Sequence, residues 1–203
     1  MGDSIKSFEV SEETPVYEGF FKMTRIRLRH TLFRGGWSRD LIRELFHRGA
    51  CVAVLPYDPV SDAIVLIEQF RIGALYFKAD PWLLEIVAGA VEEGESPDQV
   101  AHREALEEAG CEIKHLLKIS EFFTSPGAFG EKITLFCGIV DSSLVGGVYG
   151  LVDEDEDIRV QVVGFDEAWG MLENGSIDSA IPMIALQWLA MNRERLRAEF
   201  NGD

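Results

Sequence analysis

Residues 89–111 read GAVEEGESPDQVAHREALEEAGC, and the local signals in this stretch agree on one loop followed by one helix. Ser96 is a favourable N-cap, and Pro97 suits the first helical position. Gln99 completes a capping box with Ser96. Gly110 is typical of a helix C-terminus. The sequence therefore predicts a helix between Ser96 and Gly110 that follows an acidic loop.

Three carboxylates converge on one face of this predicted helix. At 100° per residue, Glu104 and Glu108 lie one turn apart, and Glu107 lies in the same quadrant. Like charges at this spacing destabilise a helix by roughly a few tenths of a kcal/mol per pair. A divalent cation such as Mg²⁺, which prefers oxygen ligands, would compensate. Arg103, four residues before Glu107, is placed to orient one carboxylate. For an isolated E-x-x-E-E, a solvated acidic face is the alternative.

The spacing of the whole stretch resembles the Nudix box. That pattern, G-x5-E-x7-R-E-U-x-E-E-x-G-U with U an aliphatic residue, specifies nine positions, which are here Gly89, Glu95, Arg103, Glu104, Ala105, Glu107, Glu108, Gly110 and Cys111. Every charged and glycine position agrees, while Cys111 stands where Leu, Ile or Val is usual. The resemblance implies a metal-dependent hydrolase of a nucleoside-diphosphate derivative.

Upstream of the box, the sequence predicts strands. The apolar runs CVAVLPYD (51–58) and AIVLIEQFR (63–71), separated by a turn-rich DPVSD, predict a hairpin in a buried sheet. WLLEIVAG (82–89) predicts one further strand. Residues 16–33 predict two strands broken near Lys22, with a Gly35-Gly36 turn after them. Residues 38–49 allow either a short helix or a third strand of that small sheet.

Downstream, strands are predicted at 116–124, 132–140 and 159–165, a short helix at 166–175 and a long amphipathic helix at 178–199. The fold class is therefore predicted as α/β with a mixed sheet, and the resemblance implies the Nudix α/β/α sandwich. We expect an N-terminal β arm over residues 1–47 and a hydrolase domain over residues 48–203.

The amino-acid composition of the chain disfavours some classes of binding partner. The chain has 35 Asp and Glu against 19 Lys and Arg, a formal charge of −16 at pH 7, which disfavours nucleic acid and anionic lipid. A phosphate-bearing substrate remains compatible, because clustered carboxylates bind cations first. Cys51, Cys111 and Cys137 lack C-x-x-C spacing and suit buried thiols in a reducing cytosol. There is no signal-peptide architecture and no apolar run of the about 20 residues that a membrane helix needs. We expect a cytoplasmic protein.

Outside the box, the chain resembles the ADP-ribose pyrophosphatase branch of the Nudix family. The resemblance is carried by YEGFFK, RELFHRGACVAVLPYDP, VLIEQFR, WLLEIVAG, TSPG, GLVDEDEDIRV and IALQWL. It implies hydrolysis of ADP-ribose to AMP and ribose 5-phosphate with two or three Mg²⁺ ions per site, or Mn²⁺ in their place. It also implies a homodimer with exchanged N-terminal arms. The alternatives are another nucleoside-diphosphate sugar, such as GDP-mannose or a UDP-sugar, and a non-catalytic Nudix-fold ligand sensor.

The same resemblance implies roles for individual residues. The implied metal groups are Glu104, Glu108, the backbone carbonyl of Ala88, and additionally Glu107 and Glu156. The implied substrate contacts are Phe20 on adenine, Arg43 across the dimer, Arg48 and Arg71 on the diphosphate or ribose, and Glu131 on the terminal ribose or the attacking water. On the residues alone, Phe20 fits a core position equally well, and the arginines fit surface ion pairs.

The catalytic base is expected in the acidic run at 153–157. The resemblance implies Glu154, and a loop carboxylate is chemically suited to this role because it can close over the substrate and accept a proton from water. Asp153, Asp155 and Asp157 are competing candidates. From charge alone, a solvated acidic loop is the alternative interpretation.

Overall fold

The computed structural model of the protein describes residues 6–77, 80–151 and 155–200. Within these ranges the chain forms strands and α-helices in the order β1 (Phe8–Glu18), β2 (Lys22–His30), β3 (Leu41–Asp58), β4 (Ala63–Phe70), a 3-10 helix (Ile72–Ala74), β5 (Trp82–Glu85), β6 (Val87–Ala90), α1 (Pro97–Ala109), β7 (His115–Phe123), β8 (Phe129–Ile139), β9 (Gly147–Tyr149), β10 (Ile158–Gly164), α2 (Phe165–Glu173) and α3 (Ala180–Phe200).

The chain divides into two compact units. The arm unit comprises the described residues up to Gly49 together with Phe123–Lys132. The core unit comprises Ala50–Phe122 and the described residues from Ile133 onward. Strand β3 begins in the arm unit and ends in the core unit. The boundary at residue 47 between an arm and a hydrolase domain stays a prediction.

The arm unit is an antiparallel meander of β1, β2 and the first half of β3. Strand β1 pairs with β2 from Phe8↔His30 to Glu18↔Lys22, and β2 pairs with β3 from Lys22↔His47 to Leu28↔Leu41. The ambiguous stretch 38–49 is thus largely strand. Strand β1 begins eight residues before the predicted start at residue 16. The sequence did not reveal this part of the strand because it is exposed along its whole length and therefore lacks a periodic apolar face.

The core unit is layered on both faces of its sheet. In β3, Cys51, Ala53, Leu55 and Tyr57 pack in one buried cluster with residues of α2 and α3, such as Ala168 and Leu186. The intervening residues Val52 and Val54 pack in a second cluster with residues of α1, such as Val100 and Ala105. A strand covered by helices on both faces has no polar face, which explains its unbroken apolar run. This arrangement is the predicted α/β/α sandwich.

One strand prediction was wrong. WLLEIVAG was predicted as a single strand, but Trp82–Glu85 pairs with β4 and Val87–Ala90 pairs with β3. The chain changes neighbours at Ile86, which is buried in the cluster with α2 and α3. An apolar run does not encode which strand it will pair with, so this break is not visible in the sequence. The short strand β9 was also not predicted.

The remaining expectations about composition concern thiols and membrane helices. Cys51, Cys111 and Cys137 are buried thiols, as predicted. In the described part of the chain, none of the helices combines the length and hydropathy that a membrane span requires.

Candidate active site

The helix predicted from the box is α1, and its ends are fixed by the predicted residues. The Gln99 backbone N–H donates to Ser96 Oγ at 3.4 Å, and the Ser96 backbone N–H donates to Gln99 Oε1 at 2.9 Å, which completes the capping box. Gly110 adopts φ +62°, a conformation that favours glycine, and its N–H donates to the Leu106 carbonyl at 3.0 Å. The positions of the helical carboxylates are therefore set by local sequence.

Arg103 joins the loop and helix parts of the box. Its Nε and Nη2 donate to the two carboxylate oxygens of Glu95 at 3.0 and 3.1 Å. Its Nη1 donates to Glu104 at 2.8 Å and to Glu107 at 3.1 Å. Arg103 was predicted to orient one carboxylate, and in the structure it contacts three. A bidentate pair at Glu95 fixes the guanidinium plane, so the Nη1 direction is also fixed. This contact gives Glu95 a physical role that sequence reasoning did not assign.

Gly89 lies against the carboxylate of Glu104. A Cβ at position 89 would overlap the carboxyl group of Glu104 and lie 2.6 Å from its Cγ. A side chain at 89 would therefore displace Glu104. The first glycine of the box therefore lets the Glu104 carboxylate lie close to the β6 backbone, and the position does not need the left-handed φ that favours glycine elsewhere.

Glu108 is a buried carboxyl and Glu104 is partly buried. The whole Glu108 residue is 3% exposed, and the side chain of Glu104 is 13% exposed. Burial raises the pKa of Glu104 above its usual range, although Arg103 opposes this. Burial also raises the pKa of Glu108 to about 8, although the Ala88 N–H opposes this by donating to Glu108 Oε2 at 2.9 Å. Buried carboxyls with raised pKa values are typical of functional sites.

Two further predicted residues act electrostatically on these carboxyls. The charge of Glu156 raises the pKa values of Glu104 and Glu108, and the charge of Arg71 lowers the pKa of Glu108. Both residues therefore lie near the acidic cluster of α1. Glu154, the predicted base, lies outside the described residues, as does Asp153. The competitors Asp155 and Asp157 are described and exposed.

Arg71 follows β4 and is held through its side chain and its backbone. Its Nε donates to Glu85 Oε2 at 2.6 Å. Its backbone N–H donates to the Pro81 carbonyl at 3.0 Å, and its carbonyl accepts the Ala74 N–H at 2.9 Å. The second oxygen of Glu85 accepts the Ser179 hydroxyl at 3.0 Å. Glu85 and Ser179 were not singled out from the sequence.

The other predicted substrate residues lie in the arm unit. Arg48 Nε lies 3.8 Å from Glu131 Oε1, and its guanidinium is 5.8 Å from the ring of Phe21. Glu131 also accepts the Thr124 hydroxyl at 2.7 Å. Phe20 is 93% exposed, so it is not a core residue in this chain. Arg43 lies on β3 and donates to the Ile42 carbonyl at 2.8 Å.

The predicted metal ligands fit a hard cation such as Mg²⁺. All are oxygen donors, and the Glu108 carboxyl is hydrogen bonded to the peptide of Ala88, whose carbonyl is the predicted backbone ligand. In the ranges that the structure describes, no three His, Cys, Asp or Glu side chains are grouped as a complete metal site by themselves. Arg103 instead engages Glu104 and Glu107, which balances part of their charge.

One polar atom beside the site has no partner among the described residues. Gln69 Oε1 is buried without a hydrogen bond. Gln69 lies two residues before Arg71 in an extended segment, so the two side chains leave the same side of the chain. A buried side-chain oxygen without a donor is uncommon in native proteins. No sequence signal would have identified this residue.

Comparison with known proteins shows which family the chain belongs to. The model of the NUDIX domain matches residues 47–185, which is more than half of the chain. The ADP-ribose pyrophosphatase of Escherichia coli (strain K12) is 46% identical over 192 residues, covering 95% of this chain and 92% of that protein. The ADP-ribose pyrophosphatase of Haemophilus influenzae is 46% identical over 197 residues, covering 96% and 91%.

More distant relatives and a solved structure agree with this assignment. The GDP-mannose pyrophosphatase of Cronobacter sakazakii is 36% identical over 184 residues, covering 90% of this chain and 95% of that protein. A crystal structure described as an ADP compounds hydrolase matches with a TM-score of 0.70 at 20% identity, covering 98% of each chain, and at that identity it supports the fold alone. With its complete box folded around a partly buried acidic cluster, this chain belongs to the Nudix family of hydrolases.

Proposed function

We propose that this protein hydrolyses the diphosphate bond of ADP-ribose, giving AMP and ribose 5-phosphate, in a reaction that depends on a divalent cation. The observation that carries the proposal is the 46% identity to ADP-ribose pyrophosphatases over 95% of the chain. The aligned region spans 192 residues and therefore extends well beyond the box. The intact, buried carboxyls of the box argue against a non-catalytic ligand sensor.

The acidic cluster would hold the cation. We assign Glu104, Glu108 and the carbonyl of Ala88 as its ligands, with Glu107 and Glu156 as auxiliary groups. Bound Mg²⁺ would neutralise the diphosphate and activate water, and Mn²⁺ could take its place. Arg103 keeps Glu104 in one orientation through its fixed guanidinium plane. The resemblance to the family implies two or three ions per site, and we propose that number here.

Substrate contacts and proton transfer would be made by other residues. Arg71 would donate charge-assisted hydrogen bonds to the diphosphate. Arg48 and Glu131, which form an ion pair in the arm unit, would contact the ribose or phosphate, and Arg43 would contact the nucleotide. We assign Glu154 as the base that accepts the proton of the attacking water, because the helical carboxylates are committed to the cation.

The arm unit supports a homodimer with exchanged arms. All residues of β1 are exposed, and large apolar side chains on the described part of the arm unit are exposed to solvent, among them Phe8, Val10, Tyr17, Phe33 and Ile42. Exposed apolar surface of this kind is typical of an interface. In such a dimer, Phe20 of one chain would stack on the adenine bound at the site of the other chain. A molar mass of one chain in solution, measured by light scattering, would contradict this arrangement.

The function is tested with a substrate panel. The purified protein is incubated with Mg²⁺ and ADP-ribose, GDP-mannose or a UDP-sugar, and the products are separated by ion-exchange chromatography. We expect AMP and ribose 5-phosphate from ADP-ribose, with kcat/KM at least about tenfold above that of the other substrates. A higher kcat/KM with GDP-mannose would favour the second candidate, which rests on the 36% identical GDP-mannose pyrophosphatase.

We also propose a cytoplasmic location. Three buried cysteine thiols suit a reducing compartment.

A further inference from the structure

Among the residues that the structure describes, the side chain of Arg71 is held at one guanidinium atom, Nε. This atom donates to Glu85 Oε2 at 2.6 Å. A guanidinium is planar and carries its five N–H donors in a fixed arrangement. When Nε is bound to a rigid carboxylate, the directions of the two terminal nitrogens are largely determined. These terminal groups are then available for an anion.

Glu85 is itself rigid. It ends β5 and stands opposite Ile67 of β4 in the antiparallel register, so its backbone is held by the sheet. Its side chain is only 15% exposed, against 37% for Arg71. Its second oxygen accepts the Ser179 hydroxyl at 3.0 Å. Ser179 immediately precedes α3, and its carbonyl accepts the Met183 N–H at 3.3 Å, so the hydroxyl is anchored to the first turn of that helix.

Two successive side-chain hydrogen bonds, from Ser179 to Glu85 and from Arg71 to Glu85, therefore link the start of α3 to the edge of the acidic cluster. We propose that Glu85, braced by Ser179, is a positioning residue that fixes the guanidinium of Arg71 so that its terminal N–H groups meet the diphosphate of the substrate. The inference rests on the proposed function, because it takes Arg71 as a diphosphate contact. It assigns roles to two residues that lie outside the box and do not touch the reacting atoms.

The physical benefit is preorganisation. A free arginine side chain loses rotamer freedom when it binds phosphate, and this loss weakens binding. Glu85 removes most of that loss before the substrate arrives. An arginine tied at Nε also presents its two terminal nitrogens together, which suits two phosphate oxygens. If the Arg71–Glu85 ion pair were purely structural, it would tie the end of β4 to β5 and stabilise the fold. Replacing Glu85 would then change kcat/KM to the same extent with and without Arg71.

A double-mutant cycle separates these roles. The proteins compared are the wild type, Glu85→Gln, Arg71→Ala and the double variant, assayed as full-length chains with Mg²⁺ and ADP-ribose. Gln keeps the volume of Glu and one acceptor oxygen, so folding is preserved, and thermal denaturation checks this. We expect Glu85→Gln to lower kcat/KM about tenfold, the effect of one charge-assisted hydrogen bond. The loss should fall mainly on KM, since Arg71 contacts the diphosphate before the reaction as well as during it.

In the Arg71→Ala background, Glu85→Gln should change kcat/KM by no more than about twofold, because there is no guanidinium left to position. Ser179→Ala should give a smaller loss, about threefold, that also disappears without Arg71. Glu199→Gln is the matched control, since Glu199 forms an exposed ion pair with Arg195 at 3.0 Å on α3 and should leave kcat/KM unchanged.

The outcomes distinguish this inference from the function on which it rests. Equal losses from Glu85→Gln with and without Arg71 would overturn the positioning role while leaving the hydrolase intact. Wild-type kcat/KM in both Glu85→Gln and Ser179→Ala would do the same. A wild-type protein that does not hydrolyse ADP-ribose would contradict the proposed function itself, and the inference with it.

Discussion

Replacing Gly89 with alanine tests whether the close approach of β6 to α1 keeps Glu104 in place. The new Cβ would overlap the Glu104 carboxyl and lie 2.6 Å from its Cγ, whereas ordinary contacts are 3.4–4 Å. The carboxyl group of Glu104 would have to move by about 1.5 Å to restore van der Waals distance. Arg103, which donates to Glu104 at 2.8 Å and is pinned by Glu95, cannot follow that movement freely.

The expected cost has two parts. Overpacking of this kind destabilises a protein by about 1–3 kcal/mol. For a chain of this length that lowers Tm by roughly 2–12 °C. A misplacement of about 1 Å in a catalytic constellation lowers the rate about 100-fold. We therefore expect Gly89→Ala to remain folded and to lose about two orders of magnitude in kcat/KM.

The assay is steady-state hydrolysis of ADP-ribose over a Mg²⁺ titration, paired with thermal denaturation. Gly170→Ala is the matched control, because Gly170 lies within α2 and a Cβ there would meet no described heavy atom within 4 Å beyond the backbone of its own helix. Alanine there should stabilise the helix by about 0.5–1 kcal/mol and leave kcat/KM unchanged. Wild-type kcat/KM in Gly89→Ala at saturating Mg²⁺ would refute the reasoning.

Three further predictions concern the acidic groups. Glu108→Gln should lower kcat about 1,000-fold or more at saturating Mg²⁺, because a ligand is lost while the Ala88 hydrogen bond can be kept; near wild-type turnover would remove Glu108 from the ligand set. Glu154→Gln should lower kcat with little change in KM or metal affinity, and a larger loss in Glu156→Gln would move the base role there. Asp58 is buried, which by itself raises its pKa, but hydrogen bonds from Ser142 and Ser61 lower the pKa from 3.8 to about 2. The ionised Asp58 carboxylate therefore adds about 2 kcal/mol to the free energy of unfolding above about pH 4, and this contribution is lost as the pH falls through about 2. Urea unfolding of the wild type and of Ser142→Ala at about pH 5 and about pH 2 measures the contribution. If both proteins lost the same free energy of unfolding between these pH values, the hydrogen bonds from Ser142 would not be its origin.

Local elements were predictable where local chemistry determines them. The capping box at Ser96 and the left-handed Gly110 define α1 without help from the rest of the chain, and both are present as predicted. The β3–β4 hairpin was predictable for a similar reason, since DPVSD supplies the turn between two apolar runs. The segment before residue 16 was missed because the exposed strand β1 has no buried face and therefore little apolar periodicity.

The site was predictable in part. The spacing of the box singled out Glu104 and Glu108 as candidate metal ligands, and helical geometry alone places them on the same face of α1. Glu85 and Ser179 are 94 residues apart in the chain, and only the packing of β5 against the start of α3 makes them neighbours. No pattern within the sequence connects two residues at such a separation.

The spacing of the box was enough to predict how its acidic groups are arranged. The box contains its own helix caps, its own carboxylate spacing and its own arginine, and all of these act within one short segment. Only tertiary packing sets how deeply the carboxyls are buried and which backbone approaches them. The overlap of Gly89 with Glu104 and the burial of Glu108 both depend on β6 lying against α1. Long-range packing sets local dielectric and distance, and those two quantities have no local sequence code.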